Sequence, residues 1–192
     1  MASETKRVED LSVPDAPEKA GETSHAPNSF AALAGQIKEM LGETWLPRFY
    51  HERILTLRTR AHQLPEATAR PEQVNVQHTL LGVELKIGRR RLSCPDLATA
   101  RYLATFARAG CTGVAVPYDI SRISQLADEL ESSWQRMSLL VEHLAAGRNK
   151  AYRTRLRNTL ITEARNGIGK AGAGALVPQF NQNTKQRQRR SV

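Results

Sequence analysis

Residues 119–146 read DISRISQLADELESSWQRMSLLVEHLAA. Asp119 places a side-chain oxygen where the first free N–H groups of a helix need an acceptor. Behind it Ile120, Ile123, Ala127, Leu130, Trp134, Met137, Val141 and Leu144 follow at alternating intervals of 3 and 4 residues. That spacing gathers apolar side chains onto one stripe of an α-helix and holds it for about three and a half heptads. Two readings follow. Either a long helix packs against its own domain, or the stripe from Ile120 to Leu144 is a seam that pairs two chains.

Upstream of this helix the period changes. Val74 and Val76 alternate with polar residues, as do Val83, Leu85 and Ile87, the pattern of half-buried strands. Residues 74–93 are therefore expected to be extended, with a turn at Gly88. Pro95, preceded by Ser93 and Cys94, suits the first turn of a helix. That helix carries Leu97, Ala100, Leu103, Ala104 and Ala107 and stops at Gly110. Val114 and Val116, bounded by Gly113 and Pro117, form a further short strand. One small sheet, 74–93 together with 113–117, is expected beneath the helices.

Nearer the N-terminus, Asn28 or Ser29 offers a cap for a helix carrying Phe30, Leu33, Ile37 and Leu41. Pro47 should end or kink it near Leu46. Tyr50, Ile54, Leu57, Ala61 and Leu64 continue at helical spacing until Pro65. The span 29–64 thus reads as two helices or one kinked helix. The fold class expected is α+β, mainly helical, with a core over 29–146.

Charge divides the chain differently. Residues 1–30 hold three basic and six acidic side chains, and residues 146–192 hold eleven basic and one acidic, within a chain of net charge +9. Residues 1–28 carry Pro14, Pro17, Pro27 and only Val8, Leu11 and Val13 as sizeable aliphatics. They read as a disordered acidic tail, too poor in apolar surface to offset the entropy of ordering. After Gly147, a helix over 148–166 places Tyr152, Leu156, Leu160 and Ala164 on one stripe. From Gly167 onward the glycine-rich, then polar sequence reads as a flexible basic tail. The segments expected are 1–28, 29–146 and 147–192.

The excess positive charge points to a polyanion. Cationic side chains gain affinity for DNA or RNA by releasing condensed counterions, and arginine forks onto phosphate and stacks on unpaired bases. The candidate contacts are Arg148, Lys150, Arg153, Arg155, Arg157, Arg165 and Lys170, then Lys185, Arg187, Arg189 and Arg190 at the end of the chain. Arg89, Arg90 and Arg91 form a second basic cluster, expected at a hairpin tip. A dimer formed through 119–146 would double the basic tails and raise avidity. The leading expectation is a nucleic-acid-binding protein, for RNA or DNA, without enzymatic activity or cofactor. Solvated surface charge, an acidic protein or an anionic membrane surface are the competing readings, and a coiled-coil adaptor built on the seam is a third class of function.

Several motifs exclude more than they suggest. Gly167-x-Gly169-x-x-Gly172 has the glycine spacing of a dinucleotide loop but follows a helix instead of a strand. Gly169-Lys170 lacks the upstream glycine and the Ser or Thr of a phosphate-binding loop. Cys94 and Cys111 lie 17 residues apart, and the five histidines are scattered singly, so no zinc spacing exists. Two such thiols fit a reducing compartment, cytoplasmic or, in a eukaryotic or viral setting, nuclear. No run reaches the ~18 apolar residues of a membrane span, and no apolar leader is read at the N-terminus.

One motif carries a nuclease alternative. Pro71-Glu72, eleven residues, then Glu84-Leu85-Lys86 resembles a degenerate PD-(D/E)xK nuclease signature, with Glu where that signature has its first Asp. The strand–helix–strand order that follows is similar to archaeal Holliday-junction resolvases over roughly 75–117. The resemblance implies Glu72 and Glu84 as Mg²⁺ ligands and Lys86 as the residue that orients water. The same three residues also read as solvent-facing side chains of an alternating strand.

Overall fold

The computed structural model describes residues 30–65 and 70–174. The acidic tail expected over 1–28 and the basic end 175–192 lie outside the described residues. The architecture is α+β, with four long helices and two small antiparallel sheets. Among the described residues no helix is long and apolar enough to cross a membrane.

Helix α1 (Phe30–Leu41) buries Leu33, Ala34, Ile37 and Leu41 on one face. It stops at Gly42, whose φ of +54° only glycine adopts at little cost. The stop therefore precedes Pro47, which instead sits in the first turn of α2 (Leu46–Phe49). There its missing N–H costs nothing. A π-helical turn, Tyr50–Ile54, continues α2 and buries both of its end residues. The helix expected to run on to Leu64 is instead strand β1 (Thr59–Gln63), paired antiparallel with β5 (Gly113–Pro117) from Thr59↔Pro117 to Gln63↔Gly113. The N–H of Leu64 extends this ladder by donating to the Thr112 carbonyl at 2.8 Å. The helical spacing of Ile54, Leu57, Ala61 and Leu64 is outweighed by pairing with a distant strand.

Strands β2 (Val74–Thr79), β3 (Gly82–Ile87) and β4 (Arg90–Cys94) form a separate meander in the order β2-β3-β4. The single sheet expected from the sequence is thus two, because β5 pairs with β1 and not with the meander. Leu80 and Leu81 form the two-residue turn between β2 and β3 and are fully exposed. Gly88, at φ +59°, and Arg89 form the turn between β3 and β4.

Helix α3 (Leu97–Arg108) is capped by Asp96, whose carboxylate accepts from the Thr99 N–H at 2.7 Å and the Thr99 hydroxyl at 2.9 Å. Pro95 stands just outside that cap and not in the first helical turn, where the sequence suggested it. Helix α4 (Ile120–Leu144) starts at Asp119 as expected, the carboxylate accepting from the Ser121 N–H at 3.0 Å. Helix α5 (Lys150–Ala171) runs past the expected end at 166 because Ala164 and Ile168 are buried, and its last residues are anchored.

Two apolar clusters share α4. Ile123, Ala127 and Leu130 join α3, both sheets and the Tyr50 region in the first. Met137 and Val141 join Leu33, Ile37, Leu41, Leu156 and Leu160 in the second, and Trp134 packs against both. The heptad stripe is thus covered by its own chain, and only Ile120 stays mostly exposed, at 67%. A buried stripe is what either reading of the sequence required; the partner turns out to be α1, α3 and α5.

Gly167 is where α5 crosses α2. A Cβ there would lie 2.8 and 2.9 Å from the Pro47 ring, while at Gly169 it would meet nothing within 4 Å. Alanine in a helix interior ordinarily gains about 1 kcal/mol over glycine. Gly169→Ala is therefore expected to stabilise by up to that amount. Gly167→Ala is expected to destabilise by about 1–3 kcal/mol, since the rigid ring cannot yield without moving a helix. Paired urea melts check the opposite signs.

Candidate nucleic-acid interface

Helix α5 has a buried side and an open side. Leu156, Leu160, Ala164 and Ile168 face the core, and Arg155, Asn158, Thr162, Arg165 and Asn166 are exposed. Asn149 caps its start, the amide oxygen accepting from the Tyr152 N–H at 2.8 Å. Its far end is fixed by Tyr50. The Tyr50 hydroxyl donates to the Gly172 carbonyl at 2.7 Å and accepts from the Ala115 N–H at 2.8 Å. Tyr102 donates to the Ala115 carbonyl at 2.6 Å. Burial pushes both tyrosine hydroxyls above the usual phenol range, so they stay donors. Beyond the helix, Gly174 at φ +81° lies so close to Thr59 and Ala115 that a Cβ would approach both within 3 Å. The exit of the chain is thereby laid against the β1–β5 sheet.

The cations expected on this helix divide into two groups. Arg153 is paired with Glu142 of α4. Arg157 is held by the same carboxylate at 3.0 Å and by Glu72 at 3.7 Å. These two guanidinium groups are already neutralised in the fold. Arg148 lies over the Tyr152 ring at 5.6 Å and Arg155 over Phe30 at 5.3 Å, contacts that steady a cation without cancelling its charge. Lys150, Arg155, Arg165 and Lys170 are exposed and form no ion pair with a described carboxylate. The single acid of α5, Glu163, is bound to Lys38 at 2.8 Å. Lys185, Arg187, Arg189 and Arg190 lie outside the described residues.

The second basic cluster is split by strand alternation. Arg89 is at the tip of the β3–β4 hairpin, while Arg90 and Arg91 sit on β4 opposite Ile87 and Lys86. Arg91 reaches Glu84 at 3.5 Å. The hairpin stands close to α5 through the 3₁₀ turn Pro71–Gln73. The Gly88 N–H donates to the Gln73 carbonyl at 3.1 Å, and neighbouring Glu72 meets Arg157.

The nuclease residues fall on different elements, Glu72 in the 3₁₀ turn that precedes β2 and Glu84 with Lys86 on β3. Glu84 and Lys86 share the outer face of β3, and Glu84 is opposite Gln77. Val74 to Gln77 spans about 10 Å of strand, and Glu72 lies two residues further back. Each carboxylate has an arginine partner, and the described residues contain no group of three His, Cys, Asp or Glu that could hold a metal ion.

Other reactive groups are internal. Cys94 and Cys111 are buried free thiols. Burial pushes Cys111 up to about 12, against a smaller opposing pull from the Arg165 charge, and Cys94 is raised for the same reason. Neither is expected to react with a thiol reagent at pH 8 until denaturant is added, when both should label; native labelling of Cys111 would contradict the packing. A cleft of about 320 Å³ between α2 and α4 mixes Glu43, Asp128 and Glu129 with Arg53 and Arg136. Within it Arg53 lies 3.1 Å from Glu129, while Asp128 is paired with Arg101, outside the cleft, at 2.8 Å. Sequence reasoning found the α5 cations but not which are free, since the decisive carboxylate, Glu142, belongs to a separate helix.

No protein-family model matches the chain, and neither the curated proteins nor the solved structures contain a match to it.

Proposed function

We propose that this is a non-enzymatic nucleic-acid-binding protein whose contacts with phosphates come from α5 and the basic end of the chain. One observation supports it above the others. The carboxylates of α4 engage arginines on several elements, yet Lys150, Arg155, Arg165 and Lys170 are left exposed without an acidic partner among the described residues. A protein that only needed solubility would have no cause to keep one helix this poor in acid. Buried unpaired thiols suit the cytoplasmic or nuclear location that goes with this role. Pairing of two chains through α4 is not needed, because its stripe is occupied within the chain.

The test is a titration with DNA and RNA at several salt concentrations, using the full chain and a chain ending at Gly174. Deleting 147–192 would be uninformative, since it removes four core residues of α5. Binding is expected to weaken linearly in log–log form with salt, with a slope near −0.9 for each phosphate neutralised on B-DNA. Ending the chain at Gly174 should flatten that slope. Absence of salt-dependent binding to every nucleic acid tried would overturn the proposal.

A companion variant acts in the opposite direction. Glu142→Gln releases Arg153 and Arg157 from their shared carboxylate. Affinity should rise and the salt slope steepen by about 1–2, the increment for one or two new phosphate contacts. The cost in stability should be below about 1 kcal/mol, since all three side chains are partly exposed.

A further inference from the structure

Resting on the nucleic-acid reading, we infer that the ligand is duplex DNA and that the open face of α5 enters its major groove. The face is built from Arg155, Asn158, Thr162, Arg165 and Asn166, all exposed. At 100° per residue Asn158 and Thr162 lie on its midline, and Arg155 with Asn166 on one flank faces Arg165 on the other. These are the side chains that read base edges: arginine forks onto guanine O6 and N7, asparagine onto adenine N6 and N7, and threonine offers a hydroxyl and a methyl group. Large apolar residues are absent from the midline, which distinguishes it from a face for packing another helix.

Size and charge favour the same ligand. Arg155 to Asn166 covers about 16 Å at 1.5 Å per residue, close to five base pairs at ~3.4 Å each. The B-form major groove, ~12 Å wide, admits one α-helix. The major groove of A-form RNA is too narrow and deep for side chains to read. Glu163, the one carboxylate of the helix, is turned off this face and held by Lys38. Lys150 and Lys170, exposed near either end of α5 and about 30 Å apart along its axis, add positive charge beyond both ends of the inserted segment. Anchoring through Asn149 and Tyr50 holds the helix ends before any ligand arrives, so little ordering entropy is lost on insertion.

The test compares the full chain on four probes at one salt concentration: a mixed-sequence DNA duplex, the same duplex methylated at guanine N7, the RNA duplex of that sequence, and the single DNA strand. The DNA duplex is expected to bind at least about tenfold more tightly than the RNA duplex, and N7 methylation is expected to remove most of that advantage. Asn158→Ala with Thr162→Ala, both on the solvent side, should narrow the gap between DNA and RNA duplexes while leaving the salt slope unchanged. Equal binding to both duplexes, or binding indifferent to N7 methylation, would overturn groove insertion while leaving phosphate contact intact. Failure to bind any of the four would overturn both.

Discussion

Replacing Arg155 and Arg165 together by glutamate is expected to weaken nucleic-acid binding by at least about 10²-fold near 0.1 M salt. Each phosphate contact contributes about 0.9 decade of affinity per decade of salt, so losing two removes nearly two decades, and the new carboxylates add repulsion. The control is a double reversal at Arg60 and Arg122, exposed on β1 and α4. It changes net charge equally but leaves α5 untouched, and should cost only a few-fold. Equal losses in the two variants, measured by fluorescence anisotropy, would mean that overall charge and not this helix carries the affinity.

Leu160→Ala is expected to destabilise the fold by about 2–5 kcal/mol. Leu160 is fully buried in the cluster that ties α1, α4 and α5 together, and removing its branched end leaves a cavity that surrounding helices cannot close. Against the ~5–15 kcal/mol total of a domain this size, the loss takes a large share of the margin. Thr154→Ala, on the solvent side of the same helix, should shift stability by no more than about 0.5 kcal/mol. Chemical denaturation separates the two. An equal response would mean that α5 is not docked as described.

Much of this arrangement is legible in the sequence where local signals are strong. Asp119 and the eight-residue stripe behind it mark α4 nearly to the residue, and the alternation of Val83, Leu85 and Ile87 marks β3. What covers the stripe is not legible, because heptad spacing specifies a buried face without saying whether α1 or a second chain buries it. Strand β1 escapes reading for a related reason. Its residues, Thr-Arg-Ala-His-Gln, carry no alternation, and its strand state comes from hydrogen bonding to β5, fifty residues downstream. The end of α5 is hidden by Gly167 and Gly169, which look like linker composition; one is there to let Pro47 approach and the other interrupts nothing. At the interface, composition reveals the cations of α5, but only contacts between elements tell Arg153 and Arg157, held by Glu142, from Arg155 and Arg165.

The bond from the Tyr50 hydroxyl to the Gly172 carbonyl joins residues 122 positions apart. A ribosome extends the chain at ~5–20 residues per second, so Tyr50 emerges many seconds before its partner exists. Until then the faces of α1, α2 and α4 that α5 will cover are open to chaperones and to other nascent chains. A message truncated before codon 172 would therefore yield a product that lacks this anchor, and its basic helix would not be fixed on a finished surface.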